Sequence, residues 1–244
     1  MKTTPAPLSR FSARLEPAAT AMVWWEPGRH HEPMAVLEVP LGPGDALVAV
    51  ELSTICRSDL AMVHGDVYAS APLVLGHESV GHVVTAGSEA VDVDGEPLRC
   101  GDRVVWSTAA PCGVCANCAR GAWHDCVSAH EYGHERVHPG WELSGAFATH
   151  IHLRAGTDIV KADAAVPAVL LAPLACDVVT GRPALRGLEP AGDLRSAVRQ
   201  VERAWRHASP LELTAARLPL SRVDDAFALA EEPDGARVGV DPRS

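Results

Sequence analysis

Positive charge is in deficit in this 244-residue chain: 21 Lys and Arg stand against 31 Asp and Glu, a formal net charge of -10. A nucleic-acid groove needs a basic face, so that class of partner is excluded. Aromatic residues make up only 5%, with six Trp against two Tyr and three Phe. No run of about 18 apolar residues occurs, which leaves no candidate membrane-spanning helix. The opening MKTTPAPLSRFSARLEPAAT has no apolar signal-peptide core, so residues 1–21 read as a flexible polar lead and the cytoplasm as the default compartment. What the chain does have is 20 Gly, 19 Pro and seven Cys. The first two favour a turn-rich β architecture over a helical bundle, and the thiols suit metal ligation better than disulfides in a reducing compartment.

The stretch GHESVGHVVTAGSEA, residues 76–90, organises the rest. Its glycines permit tight bends, Val80, Val83 and Val84 supply a buried strand, and His77 beside Glu78 is presented where that strand turns. Upstream, residues 22–50 alternate and turn at Gly42-Pro43-Gly44, predicting two or three strands. LSTICRSDLAMVHG then delivers Cys56 at a strand end, followed by a polar helical turn near Ser58 and Asp59. A lone Cys is usually a small buried hydrophobe, and a His beside a Glu is usually a satisfied pair, but here the two follow one another within about twenty residues. Cys100, before the Gly101-Asp102 turn, reads as a spare thiol.

The strongest local signal is Cys112, Cys115, Cys118 and Cys126, at steps of three, three and eight positions. Four thiolates close a tetrahedral zinc shell, and such a site holds a loop that has little core of its own. His124 lies inside this loop, but the cysteines already complete the shell. His130, His134, His138, His150 and His152 match no compact ligand set and read as surface or satisfied strand histidines. Further on, residues 166–188 are apolar and helix-compatible and contribute Cys176 and Asp177. The spacing of Val198, Val201 and Trp205 predicts an amphipathic helix. A second helix runs from a Ser221 cap through Phe227 to about Pro233, then a turn at Asp234-Gly235 leads to a closing strand at 237–240.

Taken together, GHE with Gly81, Gly87 and Ala90, the four-cysteine loop and ICRSD resemble the zinc-containing medium-chain alcohol dehydrogenases and their GroES-like catalytic domain. The resemblance covers roughly residues 22–190 and, more weakly, the closing helix and strand. It implies a mainly β fold with peripheral helices, a partly open β-barrel with a structural zinc lobe. It divides the chain into the lead over 1–21, the zinc-binding catalytic domain over 22–190, and C-terminal helices and a strand over 191–244 packing on that domain. It makes Cys56, His77 and Cys176 the catalytic zinc ligands, with Asp177 the neighbouring alternative to Cys176, and Glu78 an outer partner or exchangeable fourth ligand. With the structural site this gives two zinc ions per chain. Ser58 matches the hydroxyl that relays a proton, Asp59 the carboxylate orienting the ligand His, and Arg57 an Arg that grips cofactor pyrophosphate in some members. The family's distal relay His falls at Ala61, which leaves His64 as the nearby substitute.

The chain departs from that family where a cofactor domain belongs. No GxGxxG occurs, and AGDLR, which resembles the approach to the first Rossmann strand, runs directly into SAVRQVERAW, which resembles a late helix. The resemblance therefore implies a Rossmann-less protein in which NAD(P) is not expected. The main expectation is a zinc enzyme acting on a small oxygenated substrate by lyase, isomerase or hydration chemistry. WSTAAPCGVC and GWELSGAFATHIHL are similar to a phosphonate-associated branch, where Arg57 would hold an anionic group. The alternative is a zinc alcohol dehydrogenase that obtains NAD(P) atypically or from a partner, and a second alternative is a non-catalytic binding module. Trp205 and the apolar 166–180 run are candidates to close the face a missing domain would leave, and the oligomeric state stays open.

Overall fold

The residues that decide the architecture lie in ALVAVELST, a nearly continuous apolar run of the kind that survives only when both faces of a strand are covered. In the computed structural model, which describes residues 11–182, 185, 188–207, 215–232 and 237–244, this run is a central strand. The chain builds β1 (Phe11–Trp24), β2 (Glu32–Leu41) and β3 (Ala46–Thr54), then α1 (Arg57–His64), β4 (Leu73–Val74), β5 (Glu78–Ala86), β6 (Arg103–Trp106) and β7 (Ala109–Ala110). There follow α2 (Ala116–Ala119), β8 (His130–Glu131), β9 (His150–Leu153), β10 (Ile159–Lys161), α3 (Ala168–Leu171) and α4 (Leu174–Thr180). The described elements close with α5 (Leu194–Arg206), β11 (Ala215–Pro219), α6 (Val223–Ala230) and β12 (Arg237–Asp241).

Strand β3 pairs along one edge with β5. Its other edge is shared, with β9 beside residues 46–49 and β12 beside Ser53 and Thr54. The resulting seven-stranded sheet runs β10-β6-β5-β3-β12-β11, next to a three-stranded sheet β2-β1-β4 and a small β7-β8 pair. Together they form the partly open, mainly β barrel of a GroES-like fold, and no doubly wound parallel sheet occurs among the described residues. The helices are peripheral. Val198 and Val201 of α5 pack with Leu171 and Leu174 over Val80 and Val105, while Phe227 of α6 meets Phe147 edge-on at 5.6 Å.

Three expectations need correction. The proposed lead is not flexible over its second half, because residues 11–21 belong to β1; a register shift between Arg14 and Ala19, spanning Pro17, interrupts the alternation that would have marked a strand. Ser221 sits inside a 3-10 turn, Leu220–Arg222, and Arg222 occupies the N-cap of α6. Trp205 is 41% exposed at the end of α5 and closes nothing, although most of the 166–180 run is buried and only Val179 and Thr180 at its end are exposed. The turn expected at Asp234-Gly235 lies outside the described residues.

Candidate metal centres and the cleft between them

The first donor group grows from a loop that cannot fold by burial alone. Val114, Trp123 and Val127 are exposed, and only Cys118 of the four thiols is buried. The cysteines nevertheless converge. Cys115 caps the short helix α2 by accepting from the Cys118 N–H, and Cys126 Sγ accepts from the Cys112 N–H at 3.2 Å. Sulfur separations are 3.5 Å for Cys115–Cys118 and 4.0 Å for both Cys112–Cys118 and Cys115–Cys126. A tetrahedron of Zn–S bonds places its sulfurs about 3.8 Å apart, so this donor set fits a zinc ion.

A second group forms where β3 and β5 end side by side. Its donors are Cys56 at the N-cap of α1, His77 and Glu78 at the start of β5, and Cys176 on α4, all within 4.8 Å of one another. It is Cys176, not Asp177, that brings a donor atom here. Cys56 and Cys176 sulfurs are 3.7 Å apart. Two thiols and an imidazole are a zinc-type set whose fourth position falls to the Glu78 carboxylate or to an oxygen that exchanges with it, so these residues also fit the metal.

The surroundings fix each donor. Fully buried Asp59 accepts from the Cys56 N–H at 2.9 Å and from the Gly76 N–H, and its Oδ1 lies 3.5 Å from His77 Nδ1. Ser58 Oγ lies 3.4 Å from His77 Nε2. Glu78 Oε2 accepts from Thr54 Oγ1 at 2.6 Å and from the Arg237 guanidinium on β12. Burial lifts Glu78 to about 7 even though Arg237 pulls the other way. The Cys176 thiol, by donating to Cys56, holds Cys56 far below the usual thiol range, with His77 and Ser58 adding to the effect. Cys176 itself is pushed up by Cys56, burial and Glu78. One sulfur of the pair, Cys56, is thereby favoured as the thiolate, the form that a cation binds.

The donors lie between two cavities. On one side Ser58, His77 and Cys176 face Trp123 and Cys126 of the four-cysteine lobe across a cleft of about 420 Å³. On the other, Cys56, Glu78 and Cys176 line a larger opening of about 1070 Å³ together with Arg57, Arg182 and Arg237. Arg57 is exposed there. His64, the substitute considered for the missing relay, turns to the surface and binds Glu231 Oε1 at 2.7 Å.

Three residues around this site carry no mark in the sequence. Thr54 faces Glu78 as its register partner across β3 and β5, and Arg237 reaches Glu78 because β12 pairs with the end of β3. His134 lines the smaller cleft, its ring centroid 5.0 Å from that of His77, although the sequence classes it with surface and satisfied histidines. That class does fit His152, which is buried and bound to Asp45 Oδ2 at 2.9 Å. The described residues contain no helix long and apolar enough to cross a membrane.

A GroES-like barrel carrying two thiol-rich donor groups defines the class: a zinc-dependent, alcohol-dehydrogenase-like protein. Residues 42–164 match the family described as alcohol dehydrogenase GroES-like domain, and the chain belongs to that family. It is 39% identical over 126 residues to L-threonine 3-dehydrogenase of Streptomyces avermitilis, an alignment covering 50% of this chain and 33% of that protein. It is 35% identical over 149 residues to erythritol/L-threitol dehydrogenase of Mycolicibacterium smegmatis, covering 56% and 39%. The match thus spans little more than a third of these relatives' length. Among solved structures, a zinc-binding dehydrogenase from Sinorhizobium meliloti bound to NADP superposes with a TM-score of 0.68 at 17% identity, over 92% of this chain and 99% of that one. That likeness concerns the fold.

Proposed function

We propose that this chain acts as a zinc-dependent oxidoreductase on a small alcohol or its carbonyl counterpart, with nicotinamide contacts completed by a partner chain. The observation carrying this reading is the position of the Cys56, His77, Cys176 group between two cavities, one small and without Arg or Lys, one large and lined by three arginines. Relatives named as dehydrogenases favour it over the lyase or isomerase chemistry expected from the sequence. The phosphonate-like substrate also loses support, since Glu131 and Asp158 are among the residues that line the smaller cleft and no Arg or Lys is.

When bound, zinc polarises a substrate oxygen and lowers its proton affinity, and a nicotinamide exchanges hydride with the carbon that bears it. The chain's residues do the rest. Asp59, its Oδ1 3.5 Å from the buried His77 Nδ1, is the carboxylate placed to orient the ring, which leaves Nε2 for the metal. Ser58, on the cleft wall beside Nε2, takes the proton released from the substrate hydroxyl. With Ala61 in place of a second relay and His64 bound to Glu231, the proton passes from Ser58 to solvent. Arg57 and Arg182 supply cationic partners for a cofactor phosphate in the larger opening.

Fluorescence titration of the zinc-loaded protein with NADH and NADPH, extended to millimolar concentration, tests this proposal. Saturable binding that weakens when Arg57 becomes Ala supports it. Flat titrations with both cofactors, alone and in the presence of co-purifying chains, overturn it.

A further inference from the structure

The smaller cleft contains an imidazole that the Ser58 relay does not use. Gly133 adopts φ +76 and lies so close to Gly76, itself at φ +93, that a Cβ on Gly133 would stand 2.9 Å from the Gly76 carbonyl oxygen. This backbone contact, with the Gly133 N–H donating to the Ser144 carbonyl at 2.9 Å, docks the loop carrying His134 against the turn carrying His77. The two rings therefore meet at 5.0 Å with 47° between their planes. His134 Nδ1 is 2.9 Å from the Tyr132 carbonyl oxygen, which can only accept, so Nδ1 donates and the tautomer that this contact selects has its acceptor lone pair on Nε2. Among the described residues nothing donates to that nitrogen.

We propose that His134 is a specificity-determining residue whose Nε2 accepts a hydrogen bond from a second hydroxyl of the substrate, so that the cleft selects vicinal diols and polyols over monohydric alcohols. The inference rests on the reading of this cleft as the alcohol site. The cleft's composition agrees with it: Thr108, Glu131 and Asp158 are among its lining residues and no Arg or Lys is, a polar lining suited to a neutral hydroxylated molecule. An acceptor that the bound substrate desolvates without supplying a donor also disfavours a plain alkyl chain at that position.

The test uses the full chain loaded with Co(II), whose visible absorption reports ligands entering the open coordination position, titrated with erythritol and with butan-1-ol. Erythritol should bind the wild type about tenfold more tightly than butan-1-ol. His134→Phe should remove that advantage and leave butan-1-ol within about twofold, while His134→Gln, which keeps a donor and an acceptor, should retain most of it. Equal erythritol affinity in the wild type and His134→Phe overturns the role of His134 while leaving the alcohol site intact. A cobalt spectrum that responds to neither probe in the wild type overturns the alcohol site and this role with it. The Gln variant carries the comparison if the Phe variant fails to bind cobalt.

Discussion

Buried charge in this molecule is matched residue by residue, and two matches have measurable consequences. Arg103 is almost fully buried, with Nε 2.7 Å from Glu51 Oε2 and Nη1 donating to the carbonyls of Asp163 and Val166 at 2.8 and 2.7 Å. Arg103→Met should destabilise the fold by about 3 kcal/mol, because it leaves two carbonyls without their donor and Glu51 with only His82 and Arg243 beside it. Urea denaturation of the two proteins measures this, and a loss under about 1 kcal/mol would contradict it. Asp45 is the second case. Burial alone would raise its pKa, but hydrogen bonds from His152 and from the Gly42 and Ala155 N–H groups bring it down to about 2 from 3.8. Burial also lowers His152, against the pull of Asp45, so a neutral ring donates to a carboxylate near pH 7. Both shifts have one sign: the folded state holds fewer protons than the unfolded chain, and stability falls as pH drops from about 6.5 through the acid range. The Asp45 share, about 2 kcal/mol, is fully present above its ordinary pKa and disappears as pH falls through 2. Thermal melts of Asp45→Asn between pH 7 and pH 3 should accordingly show a flatter acid slope than the parent, and parallel curves would rule this account out.

At the scale of elements, ligands that are neighbours in sequence behave differently from ligands joined by topology. The four-cysteine lobe is held by atoms within a 15-residue loop and exposes Val114, Trp123 and Val127. Chelation should therefore abolish amide protection across residues 112–126 while β3 and β5 keep theirs, as hydrogen exchange followed by mass spectrometry would record. Loop docking gives a further contrast. Gly133 and Gly95 both have positive φ, but a Cβ at Gly95 meets nothing within 4 Å while one at Gly133 strikes the Gly76 backbone. Gly133→Ala should cost about 3 kcal/mol and Gly95→Ala about 1 kcal/mol, the first adding a collision to the shared backbone strain. The same distinction explains which features the residues announce on their own. The cysteine loop is legible because its spacing is itself the geometry, and His77 with Glu78 because a glycine-framed turn marks them. Arg237 and His134 are not, since β12 beside β3 and Gly133 against Gly76 are pairings across many intervening residues. Strand β1 is obscured by the irregularity around Pro17, which breaks the two-residue period a strand normally displays.

For the molecule as a whole, the barrel and its donor groups fit the family, and the difference begins after α4. Where the family's pattern leads into a nucleotide-binding sheet, Asp193 caps α5 by accepting from the Ser196 N–H at 2.7 Å, and the described chain returns through β11 and β12 to the barrel. The return brings Arg237 to Glu78, a partnership between positions 78 and 237. During synthesis, Cys56, His77 and Cys176 leave the ribosome long before Arg237 does, so an early chain can already capture metal while its buried carboxylate has no cation beside it. The site thus acquires this charge balance only once β12 has paired with β3.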